Sequence, residues 1–280
     1  MASALGSAAA TIFIRQGLRS RGPYTGFWIN LAVGTLGLWA CVVLTGGPGP
    51  VSATGLAFFV LAGLIGTVAG RLLRFVAIDQ VGASISAALI ALSPLISSAL
   101  AILLLGEQVT VPIAAGTVVI VVGTILLSAG GRRIGVRPAQ LVLPLLSATC
   151  FGVVAVLRKL GLSGAGPVVG SAVNATTALI AFTAFLVASG HRDTIVWRGR
   201  GIGHFVVAGV MENAAVFLTI VALSVGTVSV VLPLTGTAPI FVLLLSFFFL
   251  KGVEFLNSRV VLGTVLIVAG VYLITAFPGY

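Results

Sequence analysis

Residues 84–105 read SISAALIALSPLISSALAILLL, an unbroken run of 22 residues without a charged side chain. As an α-helix this run is about 33 Å long, slightly more than the ~30 Å hydrocarbon core of a bilayer. Other apolar runs follow the same pattern between short breaks, at roughly 27–45, 55–78, 111–129, 139–157, 168–189, 203–222, 227–250 and 260–277, and a shorter one opens the chain at 1–14. We therefore predict an all-α membrane protein with ten transmembrane helices.

The composition supports the same class. Of the 280 residues, 59% are hydrophobic and 7% are charged, whereas a soluble domain is about 25% charged. This excludes a soluble or a disordered protein, and two cysteines exclude a disulfide scaffold. The net charge of +10 does not require a nucleic acid partner, because membrane proteins concentrate Lys and Arg in cytoplasmic loops.

The first apolar run is short for a membrane span. It reaches only about 21 Å and is followed at once by Arg15, Arg19 and Arg21. A cleaved signal peptide would need a basic start, which the first three residues lack. We expect a genuine first helix whose beginning is shortened.

The chain contains an internal duplication, visible when the sequence is shifted by 144 residues. The shift, with three inserted residues near its end, aligns Gly22-Pro23 with Gly166-Pro167, Asn30 with Asn174, Val81-Gly82 with Val225-Gly226, Glu107 with Glu254 and Gly123 with Gly270. It divides the chain into two five-helix repeats, residues 1–131 and 138–280. Because five is odd, the second repeat enters the membrane from the opposite face, an architecture typical of secondary transporters with a midplane substrate site.

Two matching segments carry a resemblance to a known family. The first contains Gly82-Ala83-Ser84, Ser93-Pro94, Leu105-Gly106-Glu107, Gly116 and Gly123, and the second contains Gly226-Thr227-Val228-Ser229, Ala238-Pro239, Glu254, Gly263 and Gly270. The sequence resembles the EamA family of the drug/metabolite transporter superfamily. The resemblance implies ten helices in two EamA-like repeats and transport of small metabolites, amino acids or drugs. Where the family pattern has Gly-Glu the second copy has residues 251–254, KGVE, which predicts a longer turn.

Two arginines interrupt the third apolar run. Arg71 and Arg74 are three residues apart, so both guanidinium groups share one helix face. An intramembrane Arg costs about 2.5–3.5 kcal/mol and normally faces a bundle interior or an aqueous cavity. We predict a cationic clamp for a carboxylate or phosphate. The alternatives are that Arg74 reaches the membrane interface and that Arg71 forms a structural ion pair.

Glu212 is the only carboxylate well inside an apolar run. The 144-residue shift pairs it with Val68, about one turn from Arg71, so Glu212 and Arg71 are predicted to meet near the midplane. Its role remains open between a counter-ion of Arg71, a proton-coupling site and a ligand for a substrate amine.

Asn30 and Asn174 occupy equivalent places in the second and seventh runs. Interhelical hydrogen bonding and lining of a polar cavity are both compatible with buried amides. We include the two asparagines with Arg71, Arg74 and Glu212 in the predicted substrate-binding set.

The loop charges and the family pattern predict opposite orientations. With ten spans, one side carries eleven basic residues and the other only Arg158 and Lys159. The positive-inside rule then places both termini outside the cell, whereas the family resemblance implies that both are cytoplasmic.

The sequence lacks phosphate-loop, HExxH and GxSxG motifs, so we expect neither ATP-driven pumping nor catalysis, no cofactor and no metal site. We predict a multi-pass plasma-membrane transporter of a small anionic or zwitterionic metabolite, working by alternating access. The alternative is a translocase of an anionic lipid carrier or head group. Expected partners are the substrate and membrane lipid, without nucleic acid; a homodimer remains open.

Overall fold

The computed structural model describes residues 1–81, 86, 89–129, 138–249 and 258–276. These residues form α1 (Ala2–Leu18), α2 (Pro23–Leu44), α3 (Ala53–Val81), α4 (Ser93–Leu105), α5 (Val111–Ala129), α6 (Val142–Gly161), α7 (Pro167–Ala188), α8 (Ile202–Val225), α9 (Val228–Thr235), α10 (Ala238–Phe249) and α11 (Ser258–Ala276). Short 3₁₀ turns occupy Pro138–Leu141 and Arg192–Thr194. The predicted longer turn at residues 251–254 lies outside the described residues.

Five helical segments in the described part of the chain are long and apolar enough to cross a membrane: Pro23–Leu44, Ala53–Val81, Ala139–Gly161, Pro167–Ala188 and Ile202–Val225. The remaining helices are shorter but also apolar. Helices suit the hydrocarbon core of a membrane because they satisfy their backbone hydrogen bonds internally, where lipid offers no hydrogen-bond partner. The predicted all-α membrane class is confirmed for the described residues.

Two runs that the sequence predicts as single helices are broken. A turn at Ala91 and Leu92 precedes α4, which has Pro94 in its first turn. A second break separates α9 from α10 at residues 236–237, just after Pro233. Proline has no backbone N–H to donate and its ring crowds the preceding turn, so both helices are interrupted near their middle.

The packing of the first five helices is repeated among the later ones. α1 packs against α8 and α10, and α6 correspondingly packs against α3 and α4. α2 contacts α7 and α8, and α7 contacts α3; α5 pairs with α11. Each helix therefore contacts the other half of the chain extensively, and the interface between the halves runs through the centre of the bundle.

Two buried phenylalanines pack against glycines of neighbouring helices. The ring of Phe205 on α8 lies against Gly17 and Gly26, and the ring of Phe59 on α3 lies against Gly161 and Gly170. A Cβ atom at any of these four glycines would overlap the ring. Glycine thus lets α1 and α2 approach α8, and α6 and α7 approach α3.

These contacts correct the register in the third helix of each repeat. The glycines of each equivalent pair are 144 residues apart, but Phe59 and Phe205 are separated by 146. Glu212 therefore corresponds to Gly66 rather than Val68. Between the matched glycine and phenylalanine, the second half holds two more residues than the first, and α3 compensates downstream with a π-helical segment, Gly63–Gly70, whose wider turns take up extra residues.

We expect Gly26→Ala to lower the free energy of unfolding by about 1–3 kcal/mol, because the methyl group has no space beside the Phe205 ring. Thermal unfolding in detergent measures the effect. Gly37→Ala in the same helix is the matched control, since nothing lies within 4 Å of a Cβ there. Equal unfolding temperatures for the two variants would contradict the packing argument.

Candidate functional site

A central cavity of about 210 Å³ lies at the interface between the two halves of the chain. Its wall comes from α1, α3, α4, α6, α8, α9 and α10, and most lining residues are small or apolar. The charged residues of the lining are Arg71, Arg74, Arg158 and Glu212. Three of these side chains are cationic and one is anionic, so the lining carries two more positive than negative charges.

Arg74 forms the ion pair of the site with Glu212. Its Nη1 lies 2.7 Å from Glu212 Oε1, and its Nη2 donates to Thr11 Oγ1 at 2.6 Å. The Arg74 side chain is 13% exposed and that of Glu212 is 4% exposed. Glu212 and Arg71 line the same cavity, but the role of Glu212 as counter-ion of Arg71 is not seen, since the carboxylate pairs with Arg74 one turn further along α3. Arg74 consequently points inward and does not reach the membrane interface.

Arg71 has neutral partners instead of a carboxylate. Its Nη1 donates to Asn30 Oδ1 at 2.9 Å and more weakly to Asn213 Oδ1 at 3.4 Å. Asn213 in turn donates to the backbone carbonyls of Asn30 at 3.0 Å and Gly209 at 2.8 Å. This network joins α2, α3 and α8 and fixes the guanidinium without neutralising its charge.

The two predicted asparagines lie behind the cavity wall. Asn30 is fully buried and orients Arg71, while Asn174 donates from Nδ2 to Thr67 Oγ1 at 2.8 Å. Thr67 belongs to the lining, whereas Asn30 and Asn174 do not. Their contacts are the interhelical hydrogen bonds that the sequence offered as the alternative to cavity lining.

Arg158 is a further charged residue of the cavity lining, although the sequence places it in a loop. α6 extends to Gly161, so Arg158 lies within the helix, 8% exposed, with its Nε lacking any partner among the described residues. Helical periodicity could have found it. Phe151, Val154, Ala155 and Arg158 follow the i, i+3, i+4, i+7 spacing of one helix face, and all four line the cavity.

The neighbouring Lys159 has a different role. Its Nζ donates to the carbonyls of Leu223 at 2.8 Å and Gly226 at 2.7 Å. These carbonyls close the C-terminal end of α8, where a cation stabilises the unpaired acceptors. Lys159 therefore ties α6 to the α8–α9 connection and lies outside the cavity lining.

Glu107 makes a second tie at the same end of the bundle. Its carboxylate accepts hydrogen bonds from the backbone N–H groups of Val228 at 2.8 Å and Ser229 at 3.0 Å, and also from the Ser229 hydroxyl. An anion is favourable there because the first N–H groups of a helix have no intrahelical acceptor. Glu107 thus caps α9 from the other half of the chain.

The described residues contain no group of three His, Cys, Asp or Glu side chains suited to a metal ion. What the cavity presents is a set of guanidinium donors, the side chains that bind carboxylates and phosphates in bidentate geometry.

We expect Glu212→Gln to destabilise the protein by about 3–5 kcal/mol, since it leaves Arg74 without a counter-ion in a buried setting. Arg74→Gln combined with Glu212→Gln should cost less than the sum of the single changes. Thermal unfolding in detergent supplies the double-mutant cycle. Additive losses would mean that the two side chains are not coupled.

Comparison with known proteins identifies the family of this chain. The profile of the EamA-like transporter family matches residues 1–129 and again residues 139–276. A solved structure, described only as the crystal structure of a protein, has a similar fold with a TM-score of 0.77 and 17% identity, covering 99% of this chain and 96% of its own. No match was found among curated proteins. With both halves matched, the chain belongs to the EamA-like transporter family and is a multi-pass membrane transporter of small molecules.

Proposed function

We propose that this protein carries a small anionic or zwitterionic metabolite across the plasma membrane by secondary-active or exchange transport. Two inverted five-helix repeats would rock against each other and expose the central cavity to one side at a time. The packing of the two halves supports this architecture, because the contacts of α1 with α8 and α10 and of α2 with α8 have equivalents in those of α6 with α3 and α4 and of α7 with α3.

The observation that carries the proposal is the charge of the cavity. Arg71, Arg74 and Arg158 line it together with a single carboxylate, Glu212. Uncompensated buried cations are costly, so the cavity favours an occupant that brings negative charge. Arg71 and Arg74 come from the first half of the chain and Arg158 and Glu212 from the second, which lets one substrate contact both halves.

Three contacts at one end of the bundle would hold that end closed. Glu107 binds the start of α9, Lys159 binds the end of α8, and Ser52 N donates to Gly164 O at 2.6 Å. The Glu107 and Ser52 contacts join the first half of the chain to the second, whereas the Lys159 contact joins two helices of the second half. Alternating access requires that contacts of this kind break when the cavity opens at this end.

Uptake into proteoliposomes tests the substrate class. We expect wild-type protein to accumulate one or more labelled organic acids, amino acids or phosphorylated compounds, and Arg71→Ala to reduce that flux at least tenfold because the guanidinium contributes a charged hydrogen bond. Arg200→Gln, at an exposed loop arginine, is the control and should transport as wild type does. Equal flux through Arg71→Ala for every compound would refute the assignment of the site, and flux of lipid alone would favour the translocase.

Cross-linking tests the rocking motion. With Cys41 and Cys150 replaced, Glu107→Cys and Ser229→Cys place thiols on the two sides of the closing contact. A short, reducible thiol cross-linker should abolish uptake, and a reductant should restore it. Each single-cysteine protein treated in the same way is the control. Undiminished uptake by the cross-linked protein would show that this contact does not open during transport.

A further inference from the structure

The three arginines of the cavity differ in whether a carboxylate neutralises their charge. Arg74 is neutralised by Glu212. Arg71 contacts amide oxygens, which carry no net charge. Arg158 has a buried Nε without a partner among the described residues. Among the described residues, Arg71 and Arg158 thus have no ion-pair partner.

The two uncompensated guanidinium groups lean toward the same part of the cavity. α3 and α6 run antiparallel in contact, because Gly66 faces Val154 and Gly70 faces Cys150. Helical side chains tilt toward the N-terminus of their own helix. Arg71 therefore tilts back toward the level of Gly66, and Arg158 tilts back toward Val154, which is the same level. Their charges repel each other across this space.

From this arrangement we propose that the cavity binds a dianion, either a phosphate monoester or a short dicarboxylate, with its anionic oxygens bridging Arg71 and Arg158. The proposal rests on the transport function proposed above and narrows its substrate class. A monoanion compensates only one of the two guanidinium groups. A zwitterion brings no net charge, so it leaves the excess of two positive charges on the lining unchanged.

The position of Glu212 is consistent with the same ligand. Its Oε1 is engaged by Arg74, and its Oε2 is buried without a hydrogen-bond partner among the described residues, so one carboxylate oxygen faces two guanidinium groups that have no ion pair. Asn30 and Asn213, neither of which lines the cavity, accept hydrogen bonds from Arg71 Nη1. Arg71 can therefore add a charged ligand without losing its support.

Titration calorimetry on the purified full-length chain in detergent tests the proposal at pH 7.5 with succinate, methyl phosphate and butyrate. We expect succinate, methyl phosphate or both to bind at least tenfold more tightly than butyrate, since a second charged hydrogen bond is worth that factor. The tighter of the two dianions distinguishes a dicarboxylate site from a phosphate site. Butyrate binding as tightly as both dianions would overturn the proposal.

Arg158→Gln should lower the affinity for the dianion at least tenfold and leave butyrate affinity within threefold, while Arg158→Lys should retain the preference for the dianion. Arg200→Gln removes a positive charge from an exposed loop outside the cavity and should not change the preference. If Arg158→Gln does not fold, the wild-type series and Arg158→Lys decide the question.

Loss of the charge preference and loss of transport are separate outcomes. Flux of monoanions or zwitterions, with Arg158→Gln unchanged toward all ligands, would refute the dianion and leave the transport proposal standing. Dianion binding without flux of any compound would refute transport and leave the binding site standing.

Discussion

Packing of the Phe59 and Phe205 rings onto glycine faces is the interaction on which the arrangement of the helices depends. Inside a bilayer, apolar side chains gain little by leaving lipid for protein, so helix association relies on close backbone approach. The Phe205 ring holds α8 against α1 and α2, and the Phe59 ring holds α3 against α6 and α7. Glu212 lies two helical turns beyond Phe205, and Arg71 lies further along α3 from Phe59. The same packing therefore brings the polar side chains to the central cavity.

Charge compensation then determines which side chains the cavity leaves available. The Arg74–Glu212 pair satisfies itself, and Thr11 takes a further Arg74 N–H. A buried pair of this kind is weak evidence for stability, because desolvation offsets much of the attraction. The pair lies between α3 and α8, where it fixes the Arg74 guanidinium. Arg71 and Arg158 are left without a carboxylate partner among the described residues.

Much of this organisation follows from the sequence. Hydrophobic run length predicted the helical membrane class, and the cost of buried charge correctly brought Arg71, Arg74 and Glu212 into one cavity. The sequence did not single out Arg74 as the partner of Glu212, because Arg71 and Arg74 share one helix face and only the tertiary structure sets which of them reaches the carboxylate. Arg158 is not recognisable as a cavity residue from the hydrophobic run alone, because a charged residue ordinarily marks the end of such a run. The partners of its neighbour Lys159 are carbonyls of α8, which only the tertiary structure brings near.

The two halves of the chain share their packing but differ in their chemistry. In the first half of the chain, Ile14 occupies the position equivalent to Arg158, and Gly66 occupies the position equivalent to Glu212. Each of these charged residues therefore has an uncharged counterpart. Under the proposed alternating access, a symmetric scaffold would let the two halves exchange conformations at similar free energy, and the asymmetric charges would give the cavity one ligand preference in both conformations. A ligand shifts a conformational equilibrium only through different affinities for the two states. A dianion bridging Arg71 and Arg158 binds best when the halves hold those side chains close together, and it would therefore favour the closed cavity from which either side can open.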